Sequence, residues 1–384
     1  MDFTPTDDQE ELRASVRAVL ARACPPSAVR HVFEGKDGEY VPSRSGLWKQ
    51  MVDLDWPALT IPEQFGGIGL GFVELSLVVE ELGRVVAPSP FLATVTQFAP
   101  LVREVAPADR AEPYLRAIAE RGATGTVALA EAPGTWDPGR VTTTARPVDG
   151  GWVLDGTKSW VCDGVGADHI AVVARAEHSS GTDGLGVFVV PGDFSPGRVL
   201  PVFDPTQPLV ELVFDSVMVP ADAVLAEPGR EGVHASITRA LEETTACLAA
   251  STCGSCRVIF ETTLQYAKDR EQYGQPIGSF QALKHRLVEM YLLLERASAL
   301  SAYAALTIAE DDERRSVAVA MAKAAAGDCQ RLLVQDGIQL HGGIGFTWEN
   351  DLHMFAKRAK TNDFLFGGAR THRAAVARQV GVWT

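Results

Sequence analysis

The chain has 384 residues, of which 46% are hydrophobic and 22% charged, the balance of a globular protein with room for two or three domains. Its net charge of −14 argues against a nucleic-acid partner, because binding phosphates needs a cationic excess that displaces counterions. Six cysteines are too few for a disulfide framework over this length, no apolar run reads as a membrane span of roughly 20 residues, and the acidic start around Asp2, Asp7 and Asp8 lacks the regions of a signal peptide, so a cytoplasmic protein without a membrane partner is expected.

From Pro5 to about Arg121 the pattern is helical. Leu12, Val16 and Leu20 share one stripe, as do Leu75, Val78, Val79 and Leu82, and Pro25-Pro26 and Pro88-Ser89-Pro90 punctuate the run. From about Thr124 to Val224 the grain changes to short β-branched runs such as Ile170-Ala171-Val172-Val173 and Val187-Phe188-Val189-Val190. Gly150-Gly151, Asp155-Gly156, Asp163-Gly164 and Pro191-Gly192 break them at hairpin-like spacing. No long helical pattern intervenes, so an antiparallel barrel or sandwich is expected, not a parallel doubly wound sheet. From about Glu231 the chain is helical again in four long segments. Leu287, Met290, Leu294, Ala297 and Leu300 have the spacing of a bundle helix, and Arg315 to Ile338 is rich in Ala, Leu and Met. The expected class is therefore α+β: an N-terminal helical domain at 1–121, a middle β domain at 122–228 and a C-terminal four-helix bundle at 229–384.

Cys253-Gly254-Ser255-Cys256 spells a C-x-x-C inside a long apolar-periodic helix. With no second pair and no His nearby a zinc site lacks ligands, so small residues packing at a helix crossing is the expectation, and no metal is expected.

Two segments carry the chemistry. Arg270-Glu271-Gln272-Tyr273-Gly274-Gln275-Pro276-Ile277-Gly278-Ser279-Phe280-Gln281 and Gln339-Leu340-His341-Gly342-Gly343-Ile344-Gly345-Phe346 both lie between helical stretches. Arg270 offers a fixed charge and a fork of donors suited to a pyrophosphate. Gln281 and Gln339 donate and accept at once, which suits amide, ribose or flavin edges, and Gly342 and Gly343 let backbone lie against a ligand. Together these segments resemble the acyl-CoA dehydrogenase family of flavoproteins. Pro62-Glu63-Gln64-Phe65-Gly66-Gly67-Ile68-Gly69, Glu80-Glu81-Leu82-Gly83-Arg84, Trp152 to Val161 and Gln281 to Arg286 extend the resemblance over nearly the whole chain, in the family's order.

The resemblance implies FAD as cofactor, an acyl-CoA substrate, an electron-transfer acceptor and α,β-dehydrogenation of the thioester. It implies that Arg270, Tyr273, Gln281, Gln339, Gly342 and Gly343 close over a flavin held mainly by a neighbouring subunit. Trp160 and Cys162 would lie at the flavin edge on the β domain. A carboxylate base is also implied, and here the sequence departs from the family. The usual C-terminal Glu position falls on Phe366, and no Asp or Glu occurs from Phe364 to Thr384. A second group in the family carries the base on the first long bundle helix, where this chain has Glu242-Glu243-Thr244-Thr245. A register slip of one makes Glu243 the base; otherwise Glu242 and Glu243 form a solvated helix face.

The β-domain side departs too. Ala130 stands where the family has a flavin-bonding Thr, Trp136 where it has a Ser, and Cys162 where a hydroxyl is usual. The chain therefore resembles the base-lacking subunit of actinobacterial α2β2 enzymes of the steroid side-chain type. This implies a homologous base-bearing partner and a bulky, sterol-like CoA thioester. A self-sufficient homotetramer using Glu243 and a flavin-free acyl-CoA-binding scaffold are the alternatives.

Overall fold

Thr6 opens the first helix because its hydroxyl accepts from Gln9 N at 3.2 Å while the Gln9 side chain accepts from Thr6 N at 3.0 Å, a reciprocal cap of two orphan donors. The computed structural model describes residues 4–35, 45–195 and 197–382. Helices α1 (Asp7–Ala23), α2 (Pro26–Glu34), α3 (Gly46–Asp53), α4 (Phe72–Arg84), α5 (Phe91–Ala93), α6 (Ala99–Val105) and α7 (Ala108–Arg121) come first. Strands β1 (Gly125–Ala128), β2 (Thr144–Val148), β3 (Gly151–Cys162), β4 (His169–Ala176), β5 (Leu185–Pro191), β6 (Arg198–Val199), β7 (Leu209–Pro220) and β8 (Val224–Ala226) follow. Then come α8 (Val233–Asp269), the short strands β9 (Glu271–Gln272) and β10 (Gln275–Pro276), α9 (Gln281–Ala309), α10 (Arg315–His341), α11 (Leu352–Phe364) and α12 (Ala369–Gln379). The helix–sheet–helix order is the one expected, and the chain forms two compact units, Met1–Glu34 with Phe72–Ala87 and Thr245–Thr384, and Gly35–Gly71 with Pro88–Thr244.

The second unit is organised by one sheet in the order β6-β7-β3-β2-β4-β5-β8, with β1 added on β4. Five ladders are antiparallel, as the turn-punctuated runs imply. Two are parallel, β1 with β4 and β2 with β4, because the β2–β3 hairpin is inserted between them and carries the chain back to the same edge. Leu154, Ile170, Val172, Phe188, Val210 and Phe214 fill its core at 0–2% exposure. A π-helical turn, Thr94–Phe98, is pinned to β1 by the Thr94 hydroxyl, which accepts from Gly125 N at 3.1 Å. Such turns are often found at functional sites.

In the first unit α1 and α4 present the stripes read from the sequence: Val16 and Leu20 are each 1% exposed, and Leu75, Val78, Val79 and Leu82 lie at 0–2%. The C-x-x-C motif is a helix crossing. A Cβ at Gly254 would fall 2.0 Å from the Glu80 carbonyl oxygen, and one at Gly83 would fall 2.2 Å from that of Ser251. Ser255 Oγ donates to Gly83 O at 2.9 Å, so α4 and α8 touch backbone to backbone and only small residues fit there. Cys253 and Cys256 are free, buried thiols, with pKa values well above the ordinary range. Burial is the leading cause for Cys253; for Cys256 it follows a hydrogen bond to Cys329. No group of three or more metal-ligating side chains occurs among the described residues.

One expectation needs correction. By length and composition α9 is apolar enough to cross a membrane, although no run was read as a span. Its hydropathy comes from bundle packing: Met290, Leu294 and Ala297 are each 0% exposed, while Glu289, Glu295 and Arg296 remain on the helix.

Candidate functional site

At one end of the first unit's bundle, α8 stops at Asp269 and Arg270 N donates to Tyr266 O at 2.8 Å. The chain then turns tightly between β9 and β10, with Tyr273 and Gly274 at φ 55° and 80°, the left-handed pair that a two-residue hairpin requires. Tyr273 is left 93% exposed. Gln281 is the first residue of α9, and Gln339 lies in the last turn of α10. Tyr266 joins the two loops: its ring stacks on His341 at 4.5 Å, and its hydroxyl lies 3.4 Å from His341 O. Arg270 and the Gln339–Gly343 segment thus share one end of the bundle. A 550 Å³ cleft lined by Tyr266, His341, Ile344, Gln265 and Asn350 adjoins them. Tyr266 and His341 were not singled out from the sequence; an aromatic four residues before Arg270 was the available signal.

This set fits the pyrophosphate and sugar region of a dinucleotide. The Arg270 side chain is exposed and forms no ion pair among the described residues. Its neighbour Asp269 is taken by Gln265, whose amide reaches both carboxylate oxygens at 2.9 Å. Gly342 has φ 65°, and a Cβ at Gly342 or Gly343 would meet nothing within 4 Å. Nothing in the chain's own packing calls for glycine at 343, so the bare backbone there suits an occupant from outside.

In the second unit, Trp160 sits at φ 55° where the β3–β7 register shifts between Lys158 and Val161. A bulge of this kind re-aims side chains and is common beside active sites. The segment before it is tied down firmly. Ser159 N donates to Ala130 O at 2.9 Å, and Glu131 accepts from the amides and hydroxyls of Thr142 and Thr143 and from Lys158 Nζ at 2.7 Å. Ala130, at 1% exposure, brings no hydroxyl. Cys162 is 5% exposed, and its thiol is pushed up to about 12 by burial and by Asp163, against the Gln97 amide. It therefore stays a neutral, weak donor. This side is poorer in donors for a flavin ring than the pattern it resembles.

Neither candidate base behaves as an ordinary solvated carboxylate. Phe366 lies at φ 55° and 6% exposure in the corner between α11 and α12, an apolar side chain at the position expected for the base. His372 Nε2 lies 3.0 Å from its carbonyl oxygen. Burial and the Lys323 charge hold that imidazole down at about 4, so it is neutral and donates its N–H. The solvated-face reading of Glu242 and Glu243 is corrected: Glu242 is half-buried, and Glu243 is 6% exposed and paired with Arg103 Nη2 at 2.6 Å. A partner 140 residues away offsets the burial, which no local pattern could reveal. Glu243 Oε1 is already engaged by the Arg103 guanidinium. Glu243→Gln is accordingly expected to change turnover of the flavin-loaded enzyme by less than about tenfold, whereas loss of a positioned base costs on the order of 10²–10⁴-fold. Steady-state kinetics at full flavin occupancy decide between the two.

Known proteins resemble this chain over most of its length, in sequence and in fold. Residues 6–122, 126–217 and 230–381 match the N-terminal, middle and C-terminal domains of acyl-CoA dehydrogenases. The chain is 30% identical over 358 residues to the acyl-CoA dehydrogenase IpdE2 of Mycobacterium tuberculosis, covering 93% of this chain and 92% of that protein. It is 27% identical to the mitochondrial isovaleryl-CoA dehydrogenase of Oryza sativa subsp. japonica, with 97% and 91% covered. A glutaryl-coenzyme A dehydrogenase in complex with glutaryl-CoA superposes with a TM-score of 0.90 at 25% identity, covering 100% of this chain and 98% of that one. A variant of the Tcur3481-Tcur3483 steroid ACAD gives 0.83 at 27%, with 98% of each chain covered. With all three domains matched in order, the chain belongs to the acyl-CoA dehydrogenase family of FAD-dependent oxidoreductases.

Proposed function

We propose that this chain is the base-lacking subunit of a heteromeric acyl-CoA dehydrogenase that acts on a bulky, sterol-like CoA thioester. The observation that carries the reading is the pairing of Phe366 at the base corner with an open, unpaired Arg270 set at the bundle end. FAD, when bound, would supply the hydride acceptor for the β carbon. The proton at the α carbon goes to a carboxylate of a homologous partner. Arg270, Gln281 and Gln339 of this chain close over the partner's pyrophosphate and sugar, and Gly342 and Gly343 let the backbone approach it. The likeness to the Tcur3481-Tcur3483 steroid ACAD supports both the two-chain assembly and the substrate class. Val288, Tyr291 and Leu292, exposed at 54, 46 and 63% along α9, supply an apolar face for a neighbouring subunit.

The expected result is that the chain purified alone is flavin-poor, and that co-expression with a base-bearing homologue gives a yellow tetramer with two FAD per four chains. Ala130 and Cys162 forgo hydrogen bonds to flavin worth about 0.5–1.5 kcal/mol each, while the partner's site loses none. Native mass spectrometry with flavin absorbance reads the stoichiometry. Four FAD in a homotetramer of this chain would overturn the heteromer and leave the self-sufficient enzyme. A colourless co-expressed complex would leave the scaffold.

A further inference from the structure

Gly342 and Gly343 cannot anchor the backbone they belong to. Neither has a side chain, and a Cβ at either would meet nothing within 4 Å among the described residues. Glycine loses more conformational freedom on ordering than any other residue, so such a loop is preorganised only when both of its flanks are fixed. On the leading flank, His341 Nδ1 lies 2.8 Å from Gly337 O and the ring stacks on Tyr266. Within the turn Gly342–Phe346, Gly345 lies so close to α10 that an added Cβ would fall 2.7 Å from Ile338 O. The trailing flank, residues 347–351, is held from the other end of the sequence.

That hold comes from α2. Val29 and Phe33, one turn apart, face inward at 2% and 9% exposure, which puts Arg30 and Glu34 together on the neighbouring stripe. Arg30 Nη1 donates to Trp348 O at 2.8 Å, across 318 positions of sequence. Its Nη2 donates to Glu349 O at 3.1 Å and to the Asp351 carboxylate. Glu34 accepts from Arg30 Nη1 and from Trp348 Nε1, each at 3.3 Å. Lys357 Nζ lies 4.7 Å from the Trp348 ring centroid and 5.2 Å from that of Phe33, so a cation on α11 joins the loop to α2 a second time. A solvent-facing ion pair alone adds little to stability. A rigid fork that meets two carbonyls and a carboxylate on one short segment does something else: it fixes where that segment lies.

We infer that Arg30 is a positioning residue for the cofactor site: it clamps the trailing flank of the Gly342-Gly343 loop and so presets the backbone that closes over the neighbour's dinucleotide. The inference rests on reading that loop as a cofactor surface. It gives the N-terminal helix α2 a part in cofactor retention.

Hydrogen exchange over residues 342–351 of the flavin-free chain, and flavin fluorescence across a dilution series of the assembled enzyme, test it together. Arg30→Ala should speed exchange in that segment and weaken FAD retention by about three- to tenfold each, the factor for losing a contact of ordinary strength. Arg30→Lys keeps the charge but loses the fork, so it should recover only part of both, which keeps the test decisive if the alanine variant folds poorly. Arg314→Ala removes an arginine paired with Asp312 at the start of α10 and should change neither. The flavin-free Arg30→Ala chain should melt within about 2 °C of wild type, because its ion pairs face solvent. A fall in melting temperature that accounts for the lost retention would reduce Arg30 to a structural role and overturn the inference. Unchanged exchange in both Arg30 variants, or faster exchange with unchanged FAD retention, would overturn it as well. A wild-type assembly that binds no FAD would overturn the functional reading instead, and exchange in the flavin-free chain would then decide alone whether Arg30 holds the loop.

Discussion

Lys158→Met is expected to lower the unfolding free energy by about 3–5 kcal/mol, the range for removing one member of a buried ion pair. Lys158 is 0% exposed and Glu131 5%, so neither charge is compensated by water. Removing the ammonium strands a carboxylate that keeps only its threonine donors. Chemical denaturation at pH 7 measures the loss, and a change below about 1 kcal/mol would mean the threonines alone satisfy Glu131. The pH dependence has a definite sign. Burial works to raise the Glu131 pKa, but Lys158 and the two threonines outweigh it and hold the group down at about 2. A carboxylate depressed in the folded state contributes stability above its unfolded pKa and loses it as pH falls toward the folded value. The Glu131 contribution is therefore full at pH 7 and shrinks between about pH 4.5 and 2, while burial, working against the Glu131 charge, holds Lys158 down at about 8. In the variant the stranded carboxylate takes up a proton more readily, so the gap between the two proteins narrows in acid. Because this network ties residues 130–136 beside the β3 bulge, the variant should also lose order around Trp160, visible as a change in its fluorescence.

Periodic features were legible in the sequence. The stripes of α1 and α4, the bundle spacing of α9 and the turn-punctuated strands depend on residues a few positions apart, and burial follows them directly. The glycine-rich segments were legible for the same reason, since a hairpin or a bare-backbone loop is specified locally. Pairings across distance were not. Arg103 and Glu243 meet over 140 residues, and Lys158 meets Glu131 over 27, so one member of a doublet open to reading as a solvated face becomes a buried ion pair, and Glu131, next to Ala130, becomes the anchor of a network. The parallel ladders of β4 escaped for a related reason: pairing partners are chosen by the whole sheet, and alternation within a strand does not encode them. Tyr266 was passed over because its partner, His341, is brought alongside only by the packing of α8 and α10.

Arg270→Ala is expected to weaken FAD retention roughly 10- to 100-fold, since a charge-assisted bond to a desolvated phosphate is worth about 1.5–3 kcal/mol. An exposed arginine paired within its own chain would leave flavin binding untouched. Asp269, one of its two acidic neighbours in sequence, is instead engaged by Gln265, and Arg270 forms no ion pair among the described residues, so its charge remains available to a ligand. Arg270→Lys should fall between wild type and alanine, because the ammonium keeps the charge but loses the fork. Gly343→Ala supplies an independent check on the same surface. Its added methyl meets nothing within 4 Å in the chain, so the flavin-free protein should melt at the wild-type temperature, whereas retention should drop if the ligand lies against that backbone. Flavin fluorescence across a dilution series of the assembled enzyme reads all three. Unchanged retention in Arg270→Ala would remove this residue from the cofactor site, and unchanged retention in Gly343→Ala as well would move the flavin contact away from this end of the bundle altogether.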